Sequence, residues 1–219
     1  MQGGRGLSLA TLRTLPMFEQ VPDDELENLA RASSYRKVSR NTTIVRAGDV
    51  TDALYVLISG SIKVLNSDEE GREVILAILG PGEFFGEMGL LDGLPRSANV
   101  LATEPCELLV IAKADFRRCL AENFDVALYL MRSLVQRLRE ADRKIESLAL
   151  MDVFGRVAKL LLEFSAVQDG RRVVTRKLTK QDIAKMIGAS REMVSRVMKD
   201  LEGSGYIEIR DGRIFLNEV

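Results

Sequence analysis

Apolar residues recur along this chain with more than one period, and the changes of period divide it. From 9 to about 32 the spacing is helical in pieces. Val21-Pro22-Asp23-Asp24-Glu25-Leu26 reads as a helix start, because proline and acids suit a first turn whose N–H groups lack partners. From about 35 to 111 the pattern is that of strands. Residues 42–45, 54–58, 62–65, 74–78 and 108–111 are short runs rich in Val, Ile and Leu. Turn signals separate them: Ala47-Gly48-Asp49, Ser59-Gly60-Ser61, Glu69-Glu70-Gly71 and Gly80-Pro81-Gly82. Many short strands at such spacing predict an antiparallel sandwich or roll.

Beyond Lys113 the helical period returns. A short helix is predicted over 115–121, with Asn123 or Asp125 placed to cap the next one. That next helix is long. Ala127, Met131, Leu134, Leu138, Ala141, Ile145 and Leu148 follow one another in alternating steps of four and three, a narrow heptad seam. A helix packed only on its own sheet usually carries a wider stripe, so the seam predicts a symmetric parallel dimer. Residues 152–164 form another amphipathic helix, and Gln168-Asp169-Gly170 a turn.

The last segment reads helix, turn, helix, hairpin. Thr179 is placed as an N-cap with Asp182 three residues on, a near capping box. Ile183 and Ile187 face inward, Ala184 is small where helices cross, and Gly188 permits the positive φ of a tight turn. Ser190 caps the second helix, whose inner face is Val194, Val197 and Leu201. Arg191, Glu192, Ser195 and Arg196 project outward. Arginine can pair with guanine O6 and N7, and glutamate can accept from cytosine N4. Tyr206 to Leu216, an alternating strand, an Asp-Gly turn and a second strand, completes a winged helix-turn-helix.

Charge sharpens this picture. The net charge of the 219 residues is −1. Between Arg171 and Lys199, however, nine basic residues face two acidic ones, a local excess of +7 suited to a polyanion. Histidine is absent and there are two cysteines, Cys106 and Cys119. That excludes histidine-based nucleophile systems, haem and zinc held by histidine, and a four-thiolate cluster. Cys106 reads as a small buried apolar group, and a disulfide is not expected. There is no catalytic acid–base pair and no metal-ligand cluster, so an enzyme is not expected. No run has the length of a membrane helix, and Met1-Gln2-Gly3-Gly4-Arg5-Gly6 lacks the apolar core of a signal peptide. A cytoplasmic location and no membrane partner are the expectation.

The most informative stretch runs from Phe84 to Ala98. It is a glycine-rich loop with an acid, Glu87, near its start and Arg96-Ser97 near its end. Glycine lets backbone N–H groups approach a phosphate, arginine offers a charged planar fork, and a carboxylate accepts from a ribose hydroxyl. Gly-Glu, a short apolar turn and Pro-Arg-Ser-Ala together resemble the phosphate-binding cassette of cyclic-nucleotide-binding domains.

Cassette, heptad helix and winged helix, in that order, resemble the cyclic-AMP receptor protein/FNR family of bacterial transcription regulators. Gly48-Asp49, Leu54-Tyr55-Val56, Ser59-Gly60, Met151-Asp152-Val153, Gly155-Arg156-Val157 and 188–196 also carry the likeness. It implies an α+β chain: a flexible lead-in over 1–8, a jelly-roll-like antiparallel β-roll over 9–122 that binds a cyclic nucleotide, a dimerisation helix over 123–150 and a winged helix-turn-helix over 151–219. Gly86 and Glu87 would hold the ribose side and Arg96 and Ser97 the cyclic phosphate, with Met88 and Ala98 also in the ligand site. Thr179, Lys180, Ser190, Arg191, Glu192, Ser195, Arg196 and Lys199 would meet DNA. The partners implied are double-stranded DNA with TGTGA-like or TTGA-like half-sites, RNA polymerase and a second copy of the chain.

The likeness has one departure. Where the cyclic-AMP receptor places threonine and serine to read adenine, alignment puts Ala141 and Asp142. A carboxylate could take adenine N6 or the N1–H and N2–H₂ edge of guanine. It could equally pair with Arg139 or Arg143 on the helix surface. The effector expected is cyclic AMP first, with cyclic GMP or cyclic di-GMP as alternatives, and with no metal, haem or iron–sulfur cluster. A constitutive regulator whose cassette binds no nucleotide is the competing reading.

Overall fold

The computed structural model describes residues 9–217. The lead-in expected over 1–8 lies outside the described residues. The chain divides into two compact units, 1–137 and 138–219.

The first unit begins with α1 (Leu9–Arg13), a 3-10 turn (Pro16–Phe18) and α2 (Asp23–Ala32), the last starting behind Pro22 with Asp23, Asp24 and Glu25 in its first turn. Eight strands follow: β1 (Ser34–Val38), β2 (Thr43–Val45), β3 (Ala53–Ser59), β4 (Ile62–Ser67), β5 (Glu73–Leu79), β6 (Phe84–Phe85), β7 (Asn99–Ala102) and β8 (Cys106–Ala112), with the short helix α3 (Met88–Asp92) between β6 and β7. They form two antiparallel sheets, ordered β1-β8-β3-β6 and β2-β7-β4-β5. The helix α4 (Lys113–Glu122) and the start of α5 (Phe124–Leu150) close the unit.

β3 explains why its run reads as continuous rather than alternating. Its side chains point to opposite faces in turn. Leu54 and Val56 pack with Leu12, Phe18, Leu26, Phe84, Leu109, Phe116, Val126 and Leu130 in a core against the helices. Ala53, Tyr55 and Leu57 pack with Phe85, Ile62, Val100, Cys106 and Leu108 in a second core between the sheets. Both faces are buried, so both sets are apolar. Strands β1, β6 and β7 escape the sequence reading. β1 is a largely exposed edge strand, Ser-Tyr-Arg-Lys-Val, and β6 has two residues. Asp125 lies in the first turn of α5, and Asn123 directly precedes that helix, its carbonyl accepting from Ala127 N–H at 3.2 Å while its side-chain amide donates to Cys119 O at 3.1 Å at the end of α4.

The second unit holds the rest of α5, then α6 (Val153–Glu163), β9 (Ser165–Gln168), β10 (Arg171–Val174), α7 (Lys180–Ile187), α8 (Arg191–Gly203), β11 (Ile207–Arg210) and β12 (Arg213–Leu216). The expected single hairpin is part of a four-stranded sheet, ordered β11-β12-β10-β9. Both hairpins turn on Asp-Gly with two consecutive positive φ values, 51° and 76° at Asp169-Gly170 and 51° and 73° at Asp211-Gly212, matching strand twist. Val157, Leu160, Leu161, Val174, Ile183, Ala184, Ile187, Val194, Met198, Leu201 and Ile207 make its core. Met198 is buried where Val197 was expected to be; Val197 packs half-buried at the margin.

Along α5 the heptad seam splits. Ala127 and Leu134 are half-buried, whereas Met131, Leu138, Ala141, Ile145 and Leu148 are exposed in the single chain.

Candidate functional site

The cassette is built around one buried cation. Arg96 sits on the segment that leads into β7, and its side chain is only 4% exposed. Backbone pairing anchors its position: its N–H donates to Asp49 O at 2.9 Å, and its carbonyl accepts from Gly48 N–H at 2.8 Å. The guanidinium donates from Nη1 to Gly86 O at 2.8 Å and from Nη2 to Ala53 O at 2.8 Å. Nη2 also meets Asp52 Oδ1 at 3.2 Å. Its Cζ lies 5.5 Å from the Tyr55 ring centroid, a cation–π distance. Tyr55 stacks on Phe85, with centroids 5.0 Å apart.

Gly86 is glycine for two reasons. Its φ of 85° lies in the left-handed region, and a Cβ there would overlap Arg96 Nη1. Gly89 is the second tight point. A Cβ on it would overlap Thr51 Oγ1 and Leu94 O, and that hydroxyl donates to that carbonyl at 3.1 Å.

Glu87 is buried to 4% and turns away from Arg96. Its Oε1 accepts from Arg137 Nη1 at 2.9 Å, and Arg137 Nη2 donates to Phe84 O while its Cζ lies 4.5 Å from the Phe84 ring. Met88 and Ser97 are exposed and meet through a 3.5 Å contact from the hydroxyl to sulfur; Ala98 is buried. The cassette thus brings Gly86 to Arg96 and Met88 to Ser97, and hands Glu87 to Arg137. Ala141 and Asp142 are exposed residues of α5 in the second unit. Sequence reading missed Thr51, Asp52, Tyr55 and Arg137. No local spacing marks Arg137, because its partner Glu87 lies 50 positions away.

The second unit carries a helix-turn-helix. Thr179 Oγ1 accepts from Asp182 N–H at 3.1 Å, and the Asp182 carboxylate accepts from Thr179 N–H at 3.3 Å, a complete capping box. Gly188 closes α7 with φ 64°. Arg156 Nη1 donates to the Ile187 carbonyl at 2.8 Å and so holds that end of the helix. Ser190 Oγ caps α8 through Met193 N–H at 3.1 Å. Arg191, Glu192, Arg196 and Lys199 are exposed on the face opposite Val194, Met198 and Leu201. Ser195 is half-buried and accepts from Lys180 Nζ at 3.1 Å. The Glu192 carboxyl is held below its ordinary range by its own backbone amide and by the Ser190 hydroxyl, so it folds toward the helix start. Thr179 and Ser190 therefore spend their hydroxyls on caps, while the arginines and lysines carry the outward charge.

Both thiols are buried and unlinked. Burial, with Glu25 and Glu122 adding to it, pushes the Cys119 thiol up to about 11. No helix among the described residues is long and apolar enough to cross a membrane.

Comparison with known proteins follows this division. Residues 35–123 match the cyclic nucleotide-binding domain, and residues 155–219 match the Crp-like helix-turn-helix domain. The cAMP-activated global transcriptional regulator CRP of Pasteurella multocida is 38% identical over 82% of this chain and 88% of its own length. The cAMP-activated global transcriptional regulator Vfr of Pseudomonas aeruginosa is 36% identical over 84% of this chain and 90% of its own. Among solved structures, the c-di-GMP responsive global regulator CLP of Xanthomonas campestris superposes with a TM-score of 0.77 at 29% identity, covering 90% of this chain and 100% of that one.

Proposed function

This chain belongs to the CRP/FNR family of cyclic-nucleotide-binding, DNA-binding transcription regulators, and from that premise we propose a homodimeric regulator whose grip on a palindromic operator responds to one cyclic nucleotide, cyclic AMP first. The observation that carries the reading is the buried Arg96, fixed by Gly86 O and Ala53 O, in a chain that also presents an arginine-bearing helix-turn-helix. Arg96 and Ser97 would hold the cyclic phosphate, as a charged fork and a hydroxyl suit a phosphodiester. Glu87, oriented by Arg137, would accept from a ribose hydroxyl.

Exposed Met131, Leu138, Ile145 and Leu148 support a second copy along α5, because an a/d seam buries its apolar side chains only against a partner helix. The dimer would place two recognition helices in successive major grooves, about 34 Å apart. Arg191 and Arg196 would read TGTGA-like or TTGA-like half-sites, with Lys180 and Lys199 on phosphates. RNA polymerase would be the partner on DNA, and the cytoplasm the place of action.

Cyclic di-GMP is a second reading, favoured by Asp142, whose carboxylate complements the guanine N1–H and N2–H₂ edge, and by the likeness to CLP. Cyclic GMP shares that edge. Constitutive DNA binding is supported by Arg96 already having three acceptors from its own chain.

Calorimetric titration of cyclic AMP, cyclic GMP and cyclic di-GMP, with Arg96→Leu as control, tests the gating. Binding of one nucleotide to the wild type and none to the control is expected. No binding to the wild type leaves the constitutive regulator. Sedimentation of the wild type against Leu138→Glu tests the dimer.

A further inference from the structure

Arg96 has two kinds of partner, and they differ in how easily they leave. Ala53 O belongs to β3, where Ala53 is paired with β8, and Gly86 O to the backbone directly after β6. Asp52 is the carboxylate that pairs with Arg96, and its side chain is 77% exposed while Arg96 is 4% exposed. Its Oδ1 reaches Nη2 at 3.2 Å, longer than either carbonyl contact. A mostly solvated carboxylate can swing into water at little cost, whereas the carbonyls cannot move without the strands. The pair thus combines a rigidly held cation with a removable anion.

We infer that Asp52 is a built-in competitor for the phosphate of the effector, setting the concentration at which the cassette responds. The inference rests on the cyclic-nucleotide reading of this cassette. A phosphate that approaches Arg96 meets a carboxylate of like charge on the same nitrogen. Binding must displace it, and the exchange trades one ion pair for another. The two carbonyl contacts keep the guanidinium in place throughout, so removal of Asp52 leaves the fork aimed and frees a donor. A merely structural Asp52 would have the opposite effect, because its loss would loosen Arg96 and weaken the site.

The test is Asp52→Asn, with Asp52→Ser as a second variant lacking the amide, each checked for native circular dichroism. Cyclic AMP, cyclic GMP, cyclic di-GMP and dimethyl phosphate are titrated into each by calorimetry. The variants are expected to bind the effector about two- to fivefold more tightly than the wild type, equivalent to about 0.4–1 kcal/mol, within the range of an ion pair to a solvated carboxylate. The gain shrinks as salt rises from about 0.05 to 0.5 M, because screening weakens the competitor in the wild type. Equal or weaker binding by both variants overturns the inference and leaves the nucleotide reading intact. If the wild type binds none of the probes and the variants bind one, the competitor holds the cassette shut and the inference stands. If no protein binds any probe, both the inference and the nucleotide reading fail.

Discussion

Gly86→Ala places the whole geometry of the cassette under one methyl group. The residue sits at φ 85°, where an L side chain costs about 1–2 kcal/mol. The new Cβ would overlap Arg96 Nη1 and lie 3.2 Å from Ala53 O. The sheet holds Ala53, so Arg96 must yield and give up its bond to Gly86 O. A hydrogen bond from a charged donor contributes about 1.5–3 kcal/mol. Together these give about 2.5–5 kcal/mol of destabilisation. Urea unfolding of the wild type, Gly86→Ala, Arg96→Ala and the double variant separates the two parts. With Arg96 truncated only the backbone strain remains, so Gly86→Ala should then cost about 1–2 kcal/mol. If it costs the same in both backgrounds, within about 0.5 kcal/mol, the glycine is not there to admit the arginine and the account is wrong.

Arg137→Leu leaves the Glu87 carboxylate, at 5% side-chain exposure, without its donor and should lower the stability of the first unit by about 1–3 kcal/mol, with Glu87→Gln restoring most of it in thermal melts. Arg196→Ala should cost about 1–3 kcal/mol on the operator and relax preference at one base pair, whereas Lys180→Ala should reduce the salt slope of binding by about one; fluorescence anisotropy on specific and random duplexes distinguishes them. Equal loss on both duplexes for Arg196→Ala would remove it from the base readers. Because burial raises the Cys119 thiol to about 11, its thiolate is about one part in a thousand at pH 8, and alkylation by iodoacetamide should be slow there and climb toward pH 11. Fast labelling of Cys119 at pH 8 in the folded protein contradicts the packing of α4 on α2.

Much of the molecule follows from local rules. The helix start at Pro22, the capping box Thr179–Asp182, the Ser190 cap and the Gly188 turn are contacts between residues three or four positions apart. Short-range chemistry of that kind is written in the order of side chains, so the helix-turn-helix and its outward arginines were legible. The glycine–acid–arginine–serine order of the cassette was legible for the same reason, since each residue type carries its own chemistry.

Partnership across the chain was not legible. Asp52 and Ala53 reach Arg96 over more than 40 positions, and Arg137 reaches Glu87 over 50. Folding of the two N-terminal sheets and the start of α5 decides those pairings, and no local period marks them. β9 and β10 escaped because each has four residues and their apolar positions, Ala166-Val167 and Val173-Val174, are adjacent rather than alternating, so their order comes from pairing with each other and with β12. Residue order sets which groups are present and which faces of the helices are apolar. Chain closure placed Arg96 in a buried position beside the Asp52 carboxylate, because only folding of the roll brings β3 against the cassette.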